Sequence, residues 1–255
     1  IVTHDDGSRE LHRASDLAKD QSYVLAVMGP ERLARSMFPL GEVASKDEVR
    51  AEAAARGLSV SAKPDSYDIC FVADGDTQGF LRERLGSQPG PIVDATGEVL
   101  GEHDGAYAYT VGQRRGLSIG RPAPDGKPRY VLSIEPVRNT VVVGSREDLE
   151  VDVLEGHDAL WFAVVPEPDR DVQVQVRAHG TPVPARVERA WFDGAGFDGT
   201  VSDGALSDGT GSDGGARVRV RALEPLTGVA PGQSLVVYDG TRVLGQATVS
   251  SATRG

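Results

Sequence analysis

After residue 66 this 255-residue chain breaks into short β-rich runs punctuated by Gly and Pro, and only 77–85 offers a stretch that could continue as a helix. Spacing of this kind excludes a helical bundle and predicts small sheets or barrels. The strands expected are 69–73, 91–94, 107–111, 130–134, 139–144, 159–165, 172–178, 183–191, 216–223, 234–238 and 242–249. The last two flank Asp239-Gly240, a hairpin turn signal.

Residues 16–60 carry a different pattern. Val24, Leu25, Val27 and Met28 recur at helical spacing, and Leu33, Met37 and Phe38 follow on a second short segment ending near Pro39. A third helix has the clearest boundaries: Ser45 and Glu48 form a capping box, Val49 and Ala53 mark the inward face, and Gly57 supplies the stop. The chain therefore reads as a helical remnant followed by two small β units, the second beginning near residue 147.

With 39% apolar and 25% charged residues, the composition is that of a globular protein able to bury a core. No apolar run approaches the roughly 20 residues that span a bilayer. Neither a basic start nor an apolar signal region precedes the first polar stretch, so a reducing, cytoplasmic setting with no membrane partner is expected. The opening at Ile1 reads as a piece of something longer. A net charge of −11 argues against a general nucleic-acid binder, but residues 105–130 hold Arg114, Arg115, Arg121, Lys127 and Arg129 against Asp125. A local basic patch can coexist with an acidic whole.

Five of the acids belong to a tract in which Asp-Gly recurs every five residues, at Asp193, Asp198, Asp203, Asp208 and Asp213. Neither the acidic ladder of an EF-hand nor a nine-residue calcium repeat is present. The tract reads as a solvated hairpin extension.

Cys70, the single cysteine, follows a polar, turn-rich approach and opens a short apolar run. One thiol makes no internal disulfide, so it is either packing or chemistry. Asp65 and Asp68 disfavour a thiolate and Lys63 favours it, leaving the local charge undecided. Five scattered histidines, with no HxxxH and no paired cysteines, give no metal site. A Cys70–His103–Asp104 hydrolase arrangement is compatible with the residue order alone.

Two further strings are distinctive. KDQSYVL (19–25) sets three polar groups before an aromatic at a helix start, which suits donor and acceptor contacts to a polar ligand, but by itself reads as an ordinary N-terminal turn with Asp20 near the helix dipole. GEHDGAYAYTVGQRRGLSIGR (101–121) runs an alternating strand with Tyr107 and Tyr109 into a Gly- and Arg-rich loop around Gln113, Arg114 and Arg115. Glycines admit a partner close to the backbone and arginines take phosphates, so the loop is either RNA-facing or a plain exposed turn.

Taken in order, KDQSYVL, the cysteine of DSYDICFV (65–72) and GEHDGAYAYTVGQRRGLSIG resemble the tRNA-specific 2-thiouridylases, which replace the 2-oxygen of the wobble uridine with sulfur. The resemblance extends more weakly to PGQSLVVYDG (231–240). It implies an α/β remnant plus mostly β structure: the helical end of a PP-loop nucleotide-binding domain at 1–75, a central β-rich domain at 76–146, and a C-terminal β-barrel at 147–255 with the Asp-Gly insertion at 193–215. It also implies that Cys70 bears a persulfide, alternating with a disulfide. Lys19, Asp20, Gln21, Arg177, Ala178 and Gln233 would contact tRNA. ATP, with Mg, would be bound by a region absent from this chain, along with a first catalytic cysteine, so that the chain alone would not complete the reaction. The expected partners are tRNA and a sulfur donor, a cysteine desulfurase or relay protein, and the expected state is a monomer. At Ala178 the family pattern has an aromatic and at His179 an arginine. The alternative from another class is a non-catalytic RNA-binding β-barrel module in which Cys70 is structural.

Overall fold

The computed structural model describes residues 1–63, 76–117, 119–120, 126–192 and 215–255. The strand expected at 69–73, Cys70, Arg121 and the Asp-Gly repeats lie outside the described residues. The chain divides into two compact units, one of Ile1–Lys63, Val151–Pro225 and Pro231–Gly255, the other of Pro64–Glu150 and Leu226–Ala230.

In the first unit, a two-stranded ribbon of β1 (Val2–Thr3) and β2 (Arg9–Glu10) leads to the short helices α1 (Ser22–Leu25) and α2 (Gly29–Ala34) and then to α3 (Lys46–Ala55). Helix α3 starts where expected, with the Ser45 side chain accepting from Glu48 N, and Val49 and Ala53 are its most covered apolar positions. The inward face before it differs from the expected one. Ser22, Ala26, Gly29 and Leu33 are buried, while Val24 and Val27 are half exposed to solvent. Small residues at this spacing let the segment approach its neighbour closely, and Gly29, at φ 72°, breaks it into two short helices.

That neighbour is a closed barrel built from β7 (Glu150–Trp161), β8 (Val172–Gln175), β9 (Val183–Phe192), β10 (Ala216–Thr227), β11 (Ser234–Asp239) and β12 (Arg242–Thr253), in the order β10-β7-β12-β11-β8-β9. Leu235 through Tyr238 are all buried, although successive strand residues face opposite sides. Both faces of β11 are therefore covered, which is why its sequence is a continuous apolar run and not an alternation. Val236 and Tyr238, with Val243 of β12, pack against Leu11, Ala26 and Leu33. The β11–β12 hairpin forms as expected, its turn at Gly240-Thr241, one step past the Asp239-Gly240 signal, since Asp239 still pairs with Arg242; Gly240 is at φ 57°. Of the strand expected at 159–165 only 159–161 belongs to β7; the first nine residues of β7 gave no signal, their period being disturbed by bulges against β12 and by Asp158 at φ 52°, and 162–165 is not strand.

The outward side of β9 and β10 is an ion-pair lattice. Glu188 accepts from Arg221 Nε at 2.5 Å and Arg219 Nε at 2.9 Å, and Arg219 also reaches Glu155 at 2.9 Å. The Arg221 hydrogen bond, followed by that of Arg219, holds the Glu188 carboxyl below its ordinary 4.5 against the opposing effect of partial burial.

The second unit contains α4 (Thr77–Leu85) and a sheet of β3 (Gly90–Asp94), β4 (Val99–His103), β5 (Tyr130–Glu135) and β6 (Thr140–Gly144) in the order β4-β3-β6-β5, with β3 and β6 parallel. Ile92, Leu100, Val131, Val141 and Val143 form its core. Strand β4 was not expected; its signal is the turn before it, where Asp94 Oδ1 accepts from Thr96 N and Glu98 N. The strand expected at 107–111 is absent. Ala106–Ala108 form a 3-10 turn instead, because the Tyr107 ring folds back over Gly105 and its hydroxyl donates to Gly86 O at 2.8 Å. A Cβ at residue 105 would lie 2.3 Å from that ring, so glycine is what permits the fold-back.

Two outcomes follow from the first unit. Leu11→Ala removes a side chain only 1% exposed between the N-terminal segment and the barrel, and urea denaturation should show a loss of about 2–5 kcal/mol. For Glu188 the folded value is depressed, so its stabilising contribution is complete above the ordinary 4.5 and drains away as pH falls through the folded value. Glu188→Gln should cost stability at neutral pH, and its deficit against the wild type should shrink in denaturation curves taken below about pH 4.

Candidate nucleic-acid interface

Three segments far apart in sequence meet in the first unit around one guanidinium. Arg13 lies 3.7 Å above the ring centroid of Tyr238, donates from Nη2 to Gln175 Oε1 at 2.9 Å and from Nη1 to Asp20 Oδ2 at 3.4 Å. Its side chain is 12% exposed and that of Asp20 8%. The backbone of Arg13 is fixed as well, its N–H donating to Thr241 O at 2.8 Å. A cation so far out of water is retained only when its donors are matched, and stacking on a desolvated ring adds to the match.

Asp20 is the acceptor around which the 19–21 turn closes. Oδ1 accepts from Ala14 N at 2.9 Å and Ser22 N at 3.1 Å, and Oδ2 accepts from Ser22 Oγ at 2.7 Å. Ser22 Oγ is also 3.1 Å from the hydroxyl of Tyr238. The Asp20 carboxylate is thus engaged in internal bonds with Arg13, Ala14 and Ser22. Lys19 and Gln21 on either side of it are exposed.

Gln175 carries the network onward. Its Nε2 donates to Arg177 O at 2.7 Å and Ala178 O at 3.2 Å, holding a turn that Gly180 N closes onto Arg177 O. Arg177, Ala178 and His179 are exposed on this turn. On the other side, the Tyr23 hydroxyl donates to Ser234 O at 2.9 Å, next to Gln233, whose carbonyl accepts from Val249 N at 2.8 Å. Burial raises the Tyr23 hydroxyl above its ordinary value, with the Ser234 bond and the Arg177 charge opposing, and burial does the same to Tyr238. Both stay protonated at neutral pH, and both remain able to donate.

Beside this network lies a cavity of about 710 Å3, with a polar wall including Arg13, Lys19 and Asp20 and an apolar wall including Leu25, Phe38 and Val43. Nothing in the sequence singled out Arg13, Gln175 or Tyr238. Their only sequence signal is a polar residue, Gln175, inside a strand whose neighbours are buried valines.

In the second unit, described separately, the loop after Tyr109 is braced by Gln113. Its Oε1 accepts from Thr110 N at 3.0 Å, its Nε2 donates to Arg115 O at 2.9 Å, and Gly112 and Gly116 adopt φ 86° and 71°. Gln113 is therefore the brace of the loop. Arg114 and Arg115 are exposed, with no ion-pair partner among the described residues. Among the described residues, such a loop presents guanidinium groups without spending them on ion pairs.

Of the hydrolase arrangement, Cys70 lies outside the described residues, and the described His103 and Asp104 are not bonded to each other. His103 is buried and its Nε2–H donates to Asn139 O at 3.1 Å, while Asp104 bonds Arg82 Nη2 at 3.3 Å instead of the imidazole. Among the described residues no three His, Cys, Asp or Glu side chains cluster to hold a metal. Neither of the two longer helices among those residues offers an open amino end to a phosphate. The amino end of α3 is closed by Ser45, and that of α4 by Asp76, whose carboxylate accepts from Gly79 N at 2.8 Å and would repel a phosphate. No helix of the described residues is long and apolar enough to cross a membrane.

Comparison with known proteins gives three family matches: a tRNA methyl transferase HUP domain over residues 1–74, a tRNA methyl transferase PRC-barrel domain over 78–145, and an aminomethyltransferase beta-barrel domain over 212–249. The chain is 61% identical to a tRNA-specific 2-thiouridylase of Beutenbergia cavernae over 97% of its own length and 60% of the relative's. It is 56% identical to that of Kineococcus radiotolerans over 99% of this chain and 64% of the relative, and 53% identical to that of Streptomyces coelicolor over 100% and 61%. The chain thus spans about three fifths of the length of these relatives. HUP, PRC-barrel and β-barrel modules in this order, joined to identities above one half along the whole chain, carry one conclusion: the chain belongs to the family of the tRNA-specific 2-thiouridylases.

Proposed function

We propose that this chain forms the tRNA-holding and sulfur-carrying part of an enzyme that makes 2-thiouridine at the wobble position of tRNA. The observation that supports the reading most is the convergence of Lys19–Gln21 and Arg177–Ala178, segments matched to tRNA contacts by resemblance, on one hydrogen-bonded network, with Gln233, a third such residue, next to the Ser234 carbonyl that Tyr23 bonds. Lys19 and Arg177 stand exposed at its edge and suit phosphate oxygens, and Gln21 offers an amide to sugar or base edges. The exposed Arg114 and Arg115 add a second basic element.

The sulfur would travel on Cys70 as a persulfide, received from a cysteine desulfurase or a relay protein; it would pass to C2 of the uridine as the thiol of the family's first catalytic cysteine supplies the two electrons by closing a disulfide with Cys70, which a thiol reductant then reopens. Replacement of the 2-oxygen requires that oxygen to be activated as a leaving group, which in this reading ATP supplies outside the described residues, together with Mg. The domain division at 75 and 146, a monomeric state and a cytoplasmic setting belong to the same reading.

Lys19→Ala and Arg177→Ala should each weaken binding of unmodified tRNA and each flatten the dependence of log K on log salt by about 0.9, the change expected when one phosphate is no longer neutralised. Salt-series filter binding reads both. Unchanged affinity in both variants would remove tRNA from the proposed interface. For Cys70, incubation with a cysteine desulfurase and labelled cysteine should yield one labile sulfur on the chain, detected by non-reducing mass spectrometry and absent from Cys70→Ala. As this is the sole cysteine, label retained by the variant would show that the sulfur goes elsewhere.

A further inference from the structure

We infer that Arg13 is a positioning residue for tRNA binding: its buried guanidinium holds the 19–21 turn and the 177–180 turn in one fixed relation, without itself touching RNA. The inference rests on the proposed use of these turns as tRNA contacts.

Arg13 is bonded directly to both sides of the arrangement, to Asp20 within the first turn and to Gln175, which in turn holds the carbonyls of Arg177 and Ala178. Tyr238 seals the group from beneath at 3.7 Å, and its hydroxyl returns through Ser22 to Asp20, closing the ring of contacts. The planar fork of arginine is what this geometry uses: two nitrogens point in different directions in one plane while the face lies on an aromatic ring. Lysine could satisfy one acceptor but not the face and both edges together. With a side chain only 12% exposed, one face on Tyr238 and both terminal nitrogens bonded within the protein, Arg13 is committed to internal partners rather than to a phosphate. Its effect on RNA must come through where Lys19, Gln21 and Arg177 stand. Two exposed turns that move independently would bind a rigid tRNA with an ordering cost that the network removes beforehand.

The test combines salt-series tRNA binding with amide hydrogen exchange on the intact chain, for Arg13→Lys, Arg13→Ala and Gln175→Ala. The expected result is a loss of affinity of about tenfold with the salt slope of the wild type retained, in contrast to the flattened slope expected for Lys19→Ala. Exchange without tRNA should speed up in both turns together. Wild-type affinity in variants that fold, or faster exchange in one turn only, would overturn the inference. So would a slope lowered by about one, which would make Arg13 a phosphate contact. If Arg13→Ala does not fold, Arg13→Lys and Gln175→Ala give the same readings. A wild-type chain that binds no tRNA overturns the proposed function and this inference with it, whereas failure of the variants alone overturns only the role of Arg13.

Discussion

The arrangement of the first unit depends on a charge taken out of water. Once Arg13 is enclosed between the N-terminal segment and the barrel, its donors must find acceptors, and Asp20 and Gln175 are those acceptors. Removing one partner of such a group costs more than the pair contributes, about 3–5 kcal/mol where the other charge is left buried. The choice of acceptors therefore determines which turns stand together at the surface.

The apolar part of the same contact gives the network its foundation. Leu11, Ala26 and Leu33 cover one face of β11 and β12 while the other face of β11 lines the barrel, so the β11–β12 hairpin is held from both sides. Tyr238 belongs to both systems at once, its ring in the apolar cluster and under Arg13, its hydroxyl at Ser22. A strand buried on two faces is a rigid mount, and rigid mounts are what precise polar contacts on neighbouring turns require.

The two units solve the presentation of basic groups differently. In the barrel unit most arginines of the outward β9–β10 face are spent on Glu188, Glu155 and their neighbours, leaving a neutralised lattice that stiffens the sheet. In the other unit, glycines at positive φ and the Gln113 brace project Arg114 and Arg115 without ion-pair partners among the described residues. Counting arginines in the sequence cannot distinguish these two uses, because the partners of the first set lie on other strands.

Sequence by itself determined the strand-rich texture after residue 66, the helix at 77–85, the Ser45 cap, the β11–β12 hairpin and the motifs that carry the family. These are set by local sterics, caps and periodicity within a few residues, so they are legible without tertiary contacts. Only the tertiary structure decided that Asp20 turns inward, that Ser22 and Ala26 rather than Val24 and Val27 face the barrel, that Tyr107 sits in a turn, and that Arg13 is central. Each of these is settled by a partner that folding brings close from elsewhere in the chain, as far as 162 residues away for Arg13 and Gln175. Matching polar groups across such distances follows no period that a sequence displays.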